Sequence, residues 1–203
     1  MNAVIFDIDG TLLQSASVDD DLYKMAVRAV FGHVQFRPSL SDYDFVTDSG
    51  ILSQVLRDNA IPVEPDQTSS IKSAFVASLK QHIRENGAFP EVSGAKRYFE
   101  ALCHSKDHAV AIATGGWRES AELKLRAAQF SLDGVPIATS DTEFDRSRIM
   151  LTALSALEAS FDSITYYGDG TWDRDACLEL GWNFIPVGPT LAGLTSYSDE
   201  YVD

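Results

Sequence analysis

Positive charge is scarce in this chain. Lys and Arg total 16 against 30 Asp and Glu over 203 residues, a formal net charge of -14. That balance argues against nucleic acid or an anionic membrane surface as partner. An anionic substrate would have to be met by a few local cations or a metal. Cysteine is scarcer still. Cys103 and Cys177 are too few for a disulfide framework or a zinc cluster. No apolar run approaches membrane-spanning length. The N-terminus lacks a basic stretch followed by a long apolar core, so no signal peptide is expected. These absences predict a soluble protein of a reducing, cytoplasmic compartment. Low-complexity segments and internal repeats are also missing. The apolar content of 45% suits an ordinary globular core and is too high for disorder.

What is present is an alternation. Short apolar runs recur at Ala3 to Phe6, Ala109 to Ala113, Val135 to Thr139, Ile164 to Tyr167 and Phe184 to Val187. Each run after the first follows a helix-like segment: Ser93 to His104, Trp117 to Phe130, Arg146 to Leu157 and Asp173 to Leu180. Strands alternating with helices predict an α/β fold, a doubly wound parallel sheet with helices on both faces. In such sheets ligands bind beyond the carboxyl ends of the strands. Between Leu13 and Phe89 the alternation stops and helical stripes replace it. These are Leu22, Met25, Ala26, Ala29 and Val30, then Ile51, Leu52, Val55 and Leu56, then Ile71, Phe75, Leu79 and Ile83. The expected division is a core of residues 1–13 and 90–203 with an all-helical insert at 14–89. Rooted directly after the first strand, the insert is expected to sit over that strand's end as a lid.

Four stretches carry the chemistry. In Val4-Ile5-Phe6-Asp7-Ile8-Asp9-Gly10-Thr11 a strand-like run breaks into two aspartates. If extended geometry persists past Phe6, Asp7 and Asp9 project to one side. Two carboxylates that close repel unless a cation or proton lies between them. In Tyr166-Tyr167-Gly168-Asp169-Gly170-Thr171-Trp172-Asp173 another run ends in an acid, with a second acid four residues on. Oxygen-rich carboxylate sites suit Mg²⁺. In Ala113-Thr114-Gly115-Gly116 a hydroxyl and following amides can hold an anion at a helix start. In Asp145-Arg146-Ser147-Arg148-Ile149 a cation at a helix start can pair with an acid or a phosphate. No lysine lies after Lys124.

Taken in chain order, Asp7-Ile8-Asp9-Gly10-Thr11, then Thr114-Gly115 after a strand, then a basic residue, then Gly168-Asp169 with Asp173 four residues after Asp169, the motifs resemble the haloacid dehalogenase superfamily of hydrolases, over the whole chain. The resemblance implies a Rossmann-like core and makes the 14–89 insert similar to that family's type-one helical cap. It implies that Asp7 is the nucleophile that forms an aspartyl-phosphate, and that Asp9 is the general acid and base. It implies a Mg²⁺ ion held by Asp7, the Asp9 backbone carbonyl, Asp169 and Asp173, the last directly or through water. Thr114 and the Gly115 amide match the phosphate-holding motif. The family's usual lysine is absent from the third motif. Arg146 takes its place by spacing, with Arg148 as the alternate.

The resemblance further implies a small phosphorylated metabolite as substrate. Asp9 favours phosphate monoester hydrolysis over dehalogenation, because it supplies a proton to an alkoxide. A sugar phosphomutase resembling β-phosphoglucomutase keeps both acids, although that branch typically has valine where this chain has Thr11. A non-catalytic binding protein on the same fold is the third alternative. Thr47-Asp48 before an amphipathic helix resembles a cap segment that can face the cleft in related phosphatases, although Asp48 is expected mainly to start or cap its helix. Gln14 and Ser15 are candidate substrate neighbours, and Trp117 is expected to pack. The four histidines show no metal-ligand spacing.

Overall fold

The computed structural model describes residues 1–62 and 64–199. Five strands form one parallel sheet: β1 (Asn2–Phe6), β2 (His108–Ala113), β3 (Ile137–Ala138), β4 (Ile164–Gly168) and β5 (Asn183–Pro186). Their order is β3-β2-β1-β4-β5. The register pairs Phe6 with Ile112 on one side and with Tyr167 on the other. The chain therefore winds outward from β1 in one direction and then in the other. The switch lies between β1 and β4, where a ligand crevice is expected.

Because side chains alternate across a strand, neighbouring residues feed opposite layers. Phe6, Val110, Ile112 and Tyr167 face α4 (Ala95–His104) and α5 (Arg118–Ala127), packing with Phe99, Leu102 and Leu125. Ile5, Ala111, Ala113 and Tyr166 face α6 (Arg146–Ser155) and α7 (Thr171–Leu180), packing with Ile149, Met150, Ala176 and Cys177. The expected doubly wound sheet is thus observed. Only β3 is much shorter than its apolar run.

Between β1 and α4 the chain forms α1 (Ala16–Phe31), α2 (Asp48–Asp58) and α3 (Pro65–Asn86). In α2, Ile51, Leu52, Val55 and Leu56 are buried, as the stripe predicted. In α3, Ile71, Phe75 and Leu79 are buried. The α1 stripe requires correction. Met25 is 59% exposed, whereas Tyr23, Ala26 and Val27 are buried. The ring of Tyr23 packs edge-on against Phe75 and lies against Trp117 of the α5 start. That contact rotates the buried face away from Met25. Among the described residues, no helix is long and apolar enough to cross a membrane.

Candidate active site

The regular part of β1 stops at Phe6. The Asp7 amide still donates to the Tyr167 carbonyl at 3.0 Å, so Asp7 is fixed by the sheet. The chain then turns on itself: the Ile8 carbonyl accepts from both Leu12 and Leu13 at 2.9 Å. Gly10 makes the turn with φ 83°, a left-handed conformation that favours glycine. The next strand over, β4, ends in the same way at Asp169 and carries Asp173 into the first turn of α7.

Asp7, Asp169 and Asp173 each place a carboxylate oxygen within 4.8 Å of the others. Asp173 is fully buried, held by the Gly170 amide at 3.2 Å and approached by the Tyr166 hydroxyl at 3.4 Å. Burial, followed by the neighbouring acids, pushes the Asp169 carboxyl up to about 7. Burial also raises Asp7 and Asp173, against the pull of Arg146. Asp9 does not join this group. Its carboxylate points instead to Ser15 Oγ at 2.5 Å and to Lys124 Nζ at 2.6 and 2.7 Å. Asp7 and Asp9 line the same cavity, but the extended geometry that would make them project alike does not persist past Phe6. The strand ends first, and a buried ammonium claims Asp9.

Arg146 points inward at the N-terminus of α6. Its Nη1 lies 3.4 Å from Asp7 Oδ1, its Nε 3.4 Å from Asp173 Oδ1, and its Nη2 donates to the Val46 carbonyl at 3.1 Å. Burial disfavours this charge, but Asp173 first and other neighbours outweigh burial and raise the pKa. Arg148 is solvent-exposed and pairs with Glu143 at 3.6 Å. Of the two arginines, only Arg146 belongs to the acid cluster.

Thr114, 1% exposed, follows β2, and its Oγ1 accepts from the Gly116 amide at 3.2 Å. Gly115 must lack a side chain, since a Cβ there would stand 2.7 Å from Arg146 Nη2 and 2.9 Å from the Val46 carbonyl. The helical segment closes directly on this loop. The Asp48 amide donates to the Gly115 carbonyl at 2.8 Å, and Asp48 Oδ2 accepts from the Trp117 amide at 2.9 Å. Thr47, not Asp48, caps α2, through its hydroxyl and the Gly50 amide. Trp117 packs as expected, at 2% exposure, with its Nε1 donating to Ser49. Gln14 is exposed and turned to the Glu91 carbonyl, while Ser15 is buried against Asp9.

A cavity of about 130 Å³ lies between these layers, lined by Asp7, Asp9, Thr114, Gly115, Arg146 and Asp169 from the sheet side. Asp19, Asp48 and Tyr23 line it from the helical side. A model of the haloacid dehalogenase-like hydrolases matches residues 1–181. The chain belongs to that family. Structures similar to this hydrolase include CbbY from Rhodobacter sphaeroides in complex with phosphate, with a TM-score of 0.71 at 18% identity, covering 97% of this chain and 88% of that one. A putative phosphoglycolate phosphatase from Lactobacillus plantarum has a TM-score of 0.63 at 19% identity, covering 91% and 85%. β-Phosphoglucomutase from Clostridium difficile has a TM-score of 0.70 at 14% identity, covering 92% and 84%. These likenesses establish a shared fold. No curated protein is detectably similar to this hydrolase in sequence.

The sequence reading missed Lys124. On α5 the buried face is Ser120, Ala121, Lys124 and Leu125. A lysine in register with buried alanine and leucine was the available signal.

Proposed function

We propose that this hydrolase cleaves small phosphate monoesters through an aspartyl-phosphate on Asp7. The observation that carries this reading is Arg146, placed between Asp7 and Asp173 beside Thr114 and Gly115. One guanidinium among three carboxylates, two buried and the Asp169 group half-buried, leaves the cluster short of positive charge. Hard oxygen donors within 4.8 Å of one another suit a divalent cation. Asp7, Asp169, Asp173 and the Asp9 carbonyl would hold Mg²⁺. When bound, it would offset the charge of phosphoryl oxygens.

In this account the Asp7 carboxylate attacks phosphorus and the bond to the ester oxygen breaks. Asp9 gives its proton to the departing alkoxide. Water then attacks the phosphoryl group, Asp9 takes its proton, and Asp7 is released with inorganic phosphate. Thr114 Oγ1, the Gly115 amide and Arg146 hold the equatorial oxygens, where charge gathers in the transition state. Residues 14–89 act as a cap over the leaving group, consistent with the contacts from Val46 and Asp48 to the phosphate loop. The small cavity favours a small leaving group.

The presence of both Asp7 and Asp9 also fits a phosphomutase, in which a second hydroxyl replaces water. Release of inorganic phosphate from a panel of phosphomonoesters, with Mg²⁺ or with EDTA, separates the readings. A phosphatase releases phosphate in Mg²⁺ and not in EDTA. A mutase releases little, and converts sugar phosphates once supplied with a bisphosphate.

A further inference from the structure

Lys124 is 1% exposed and sits on α5, outside all four motifs. Its ammonium has three N–H donors, and the structure assigns all three. Two go to the Asp9 oxygens at 2.6 and 2.7 Å, and one goes to Asp19 Oδ1 at 2.5 Å. Asp19 lies in the first turn of α1, on the cap side of the cavity. Ser15 reinforces the arrangement. It occupies the N-cap position of α1, yet its hydroxyl does not cap that helix and is spent on Asp9.

We propose that Lys124 is a positioning residue for Asp9, anchored on the cap through Asp19, and that it sets where the leaving oxygen receives its proton. The inference rests on the phosphatase reading above. Asp9 lies past the end of β1, inside the turn that the Ile8 carbonyl closes with Leu12 and Leu13, so the sheet does not fix its side chain. The ammonium supplies that constraint. Because the same ammonium is seated on Asp19, the aim of Asp9 depends on α1 packing against the core. A misplacement of about 1 Å at such a group can cost about 10²-fold in rate.

The test is leaving-group dependence in single turnover, with Mg²⁺ present. Departure of p-nitrophenolate needs no proton, whereas departure of an alkoxide does. Lys124→Met is compared with wild type on p-nitrophenyl phosphate and on glycerol phosphate. The expected result is a loss of about 10²-fold in phosphoryl transfer from glycerol phosphate, with KM little changed. The p-nitrophenyl ester should lose less than about threefold, because its cleavage bypasses the acid. If Lys124→Met does not fold, Asp19→Asn carries the same comparison, with a smaller loss of the same selectivity. Equal losses on both esters, no loss, or a gain on glycerol phosphate would overturn the proposal. A wild type inert to both esters would instead overturn the phosphatase reading on which it rests.

Discussion

An ideal Cβ on Gly10 would stand 2.1 Å from Asp169 Oδ2. The turn after β1 and the loop after β4 therefore meet without room for a methyl group, and this contact brings the two acidic motifs together. Gly10→Ala meets both the clash and the positive φ. It should lower stability by at least about 1–2 kcal/mol, read from urea unfolding, since the left-handed conformation alone costs that much for other residues. Displacing Asp169 should also weaken the response to Mg²⁺ in turnover.

Arg146 and Arg148 should separate cleanly. Truncating one partner of a buried ion pair costs about 3–5 kcal/mol, so Arg146→Ala should be strongly destabilised. Its turnover should fall by about 10²–10³-fold, the scale for losing one donor to transition-state charge. Arg148→Ala should stay within about 0.5 kcal/mol of wild type with unchanged turnover, as expected of an exposed substitution. Paired denaturation and steady-state assays check this. Equal, small effects would mean that neither arginine serves the phosphoryl group.

Stability of the metal-free protein should fall as pH rises from about 4 to about 7. Burial lifts Asp169 and Asp19 from 3.8 to about 7. Between those values the folded state holds protons that the unfolded chain has released, so stability declines with rising pH. Mg²⁺ binds the ionised carboxylates and should therefore raise Tm more at pH 7.5 than at pH 5. Thermal melts with EDTA or Mg²⁺ across that range test the sign. A Tm that climbs from pH 5 to 7.5 in EDTA would contradict it.

Much of this architecture is legible in the sequence, for a physical reason. Parallel strands buried on both faces read as short apolar runs, and each turn carrying a candidate site residue follows such a run. That made the ends at Asp7, Thr114 and Asp169 visible. The α2 and α3 stripes are equally readable because each has one buried face. Met25 misled because the α1 packing face is set by Phe75 and Trp117, which lie far along the chain. Lys124 was hidden for a related reason. Its partners Asp9 and Asp19 are 115 and 105 positions away, and only the folded chain shows that the buried charge is paired. The side-chain direction of Asp9 follows from that pairing and not from strand periodicity.

Asp9→Asn keeps the shape of the carboxyl group but can neither give nor take the proton. Both phosphoenzyme formation from an alkyl phosphate and phosphoenzyme hydrolysis should slow, by about 10²–10⁴-fold. Rapid-quench measurement of the two steps checks this. Unchanged rates in both would remove Asp9 from the role of acid and base.

The most direct test of the central claim is acid-quench trapping of the phosphoenzyme. It is followed by peptide mass mapping, on wild type and Asp7→Asn turning over a phosphomonoester in Mg²⁺. The account predicts one phosphoryl group on the peptide carrying Asp7 in wild type, with no adduct and no turnover in Asp7→Asn. Phosphate release by Asp7→Asn at a rate near that of wild type would contradict it.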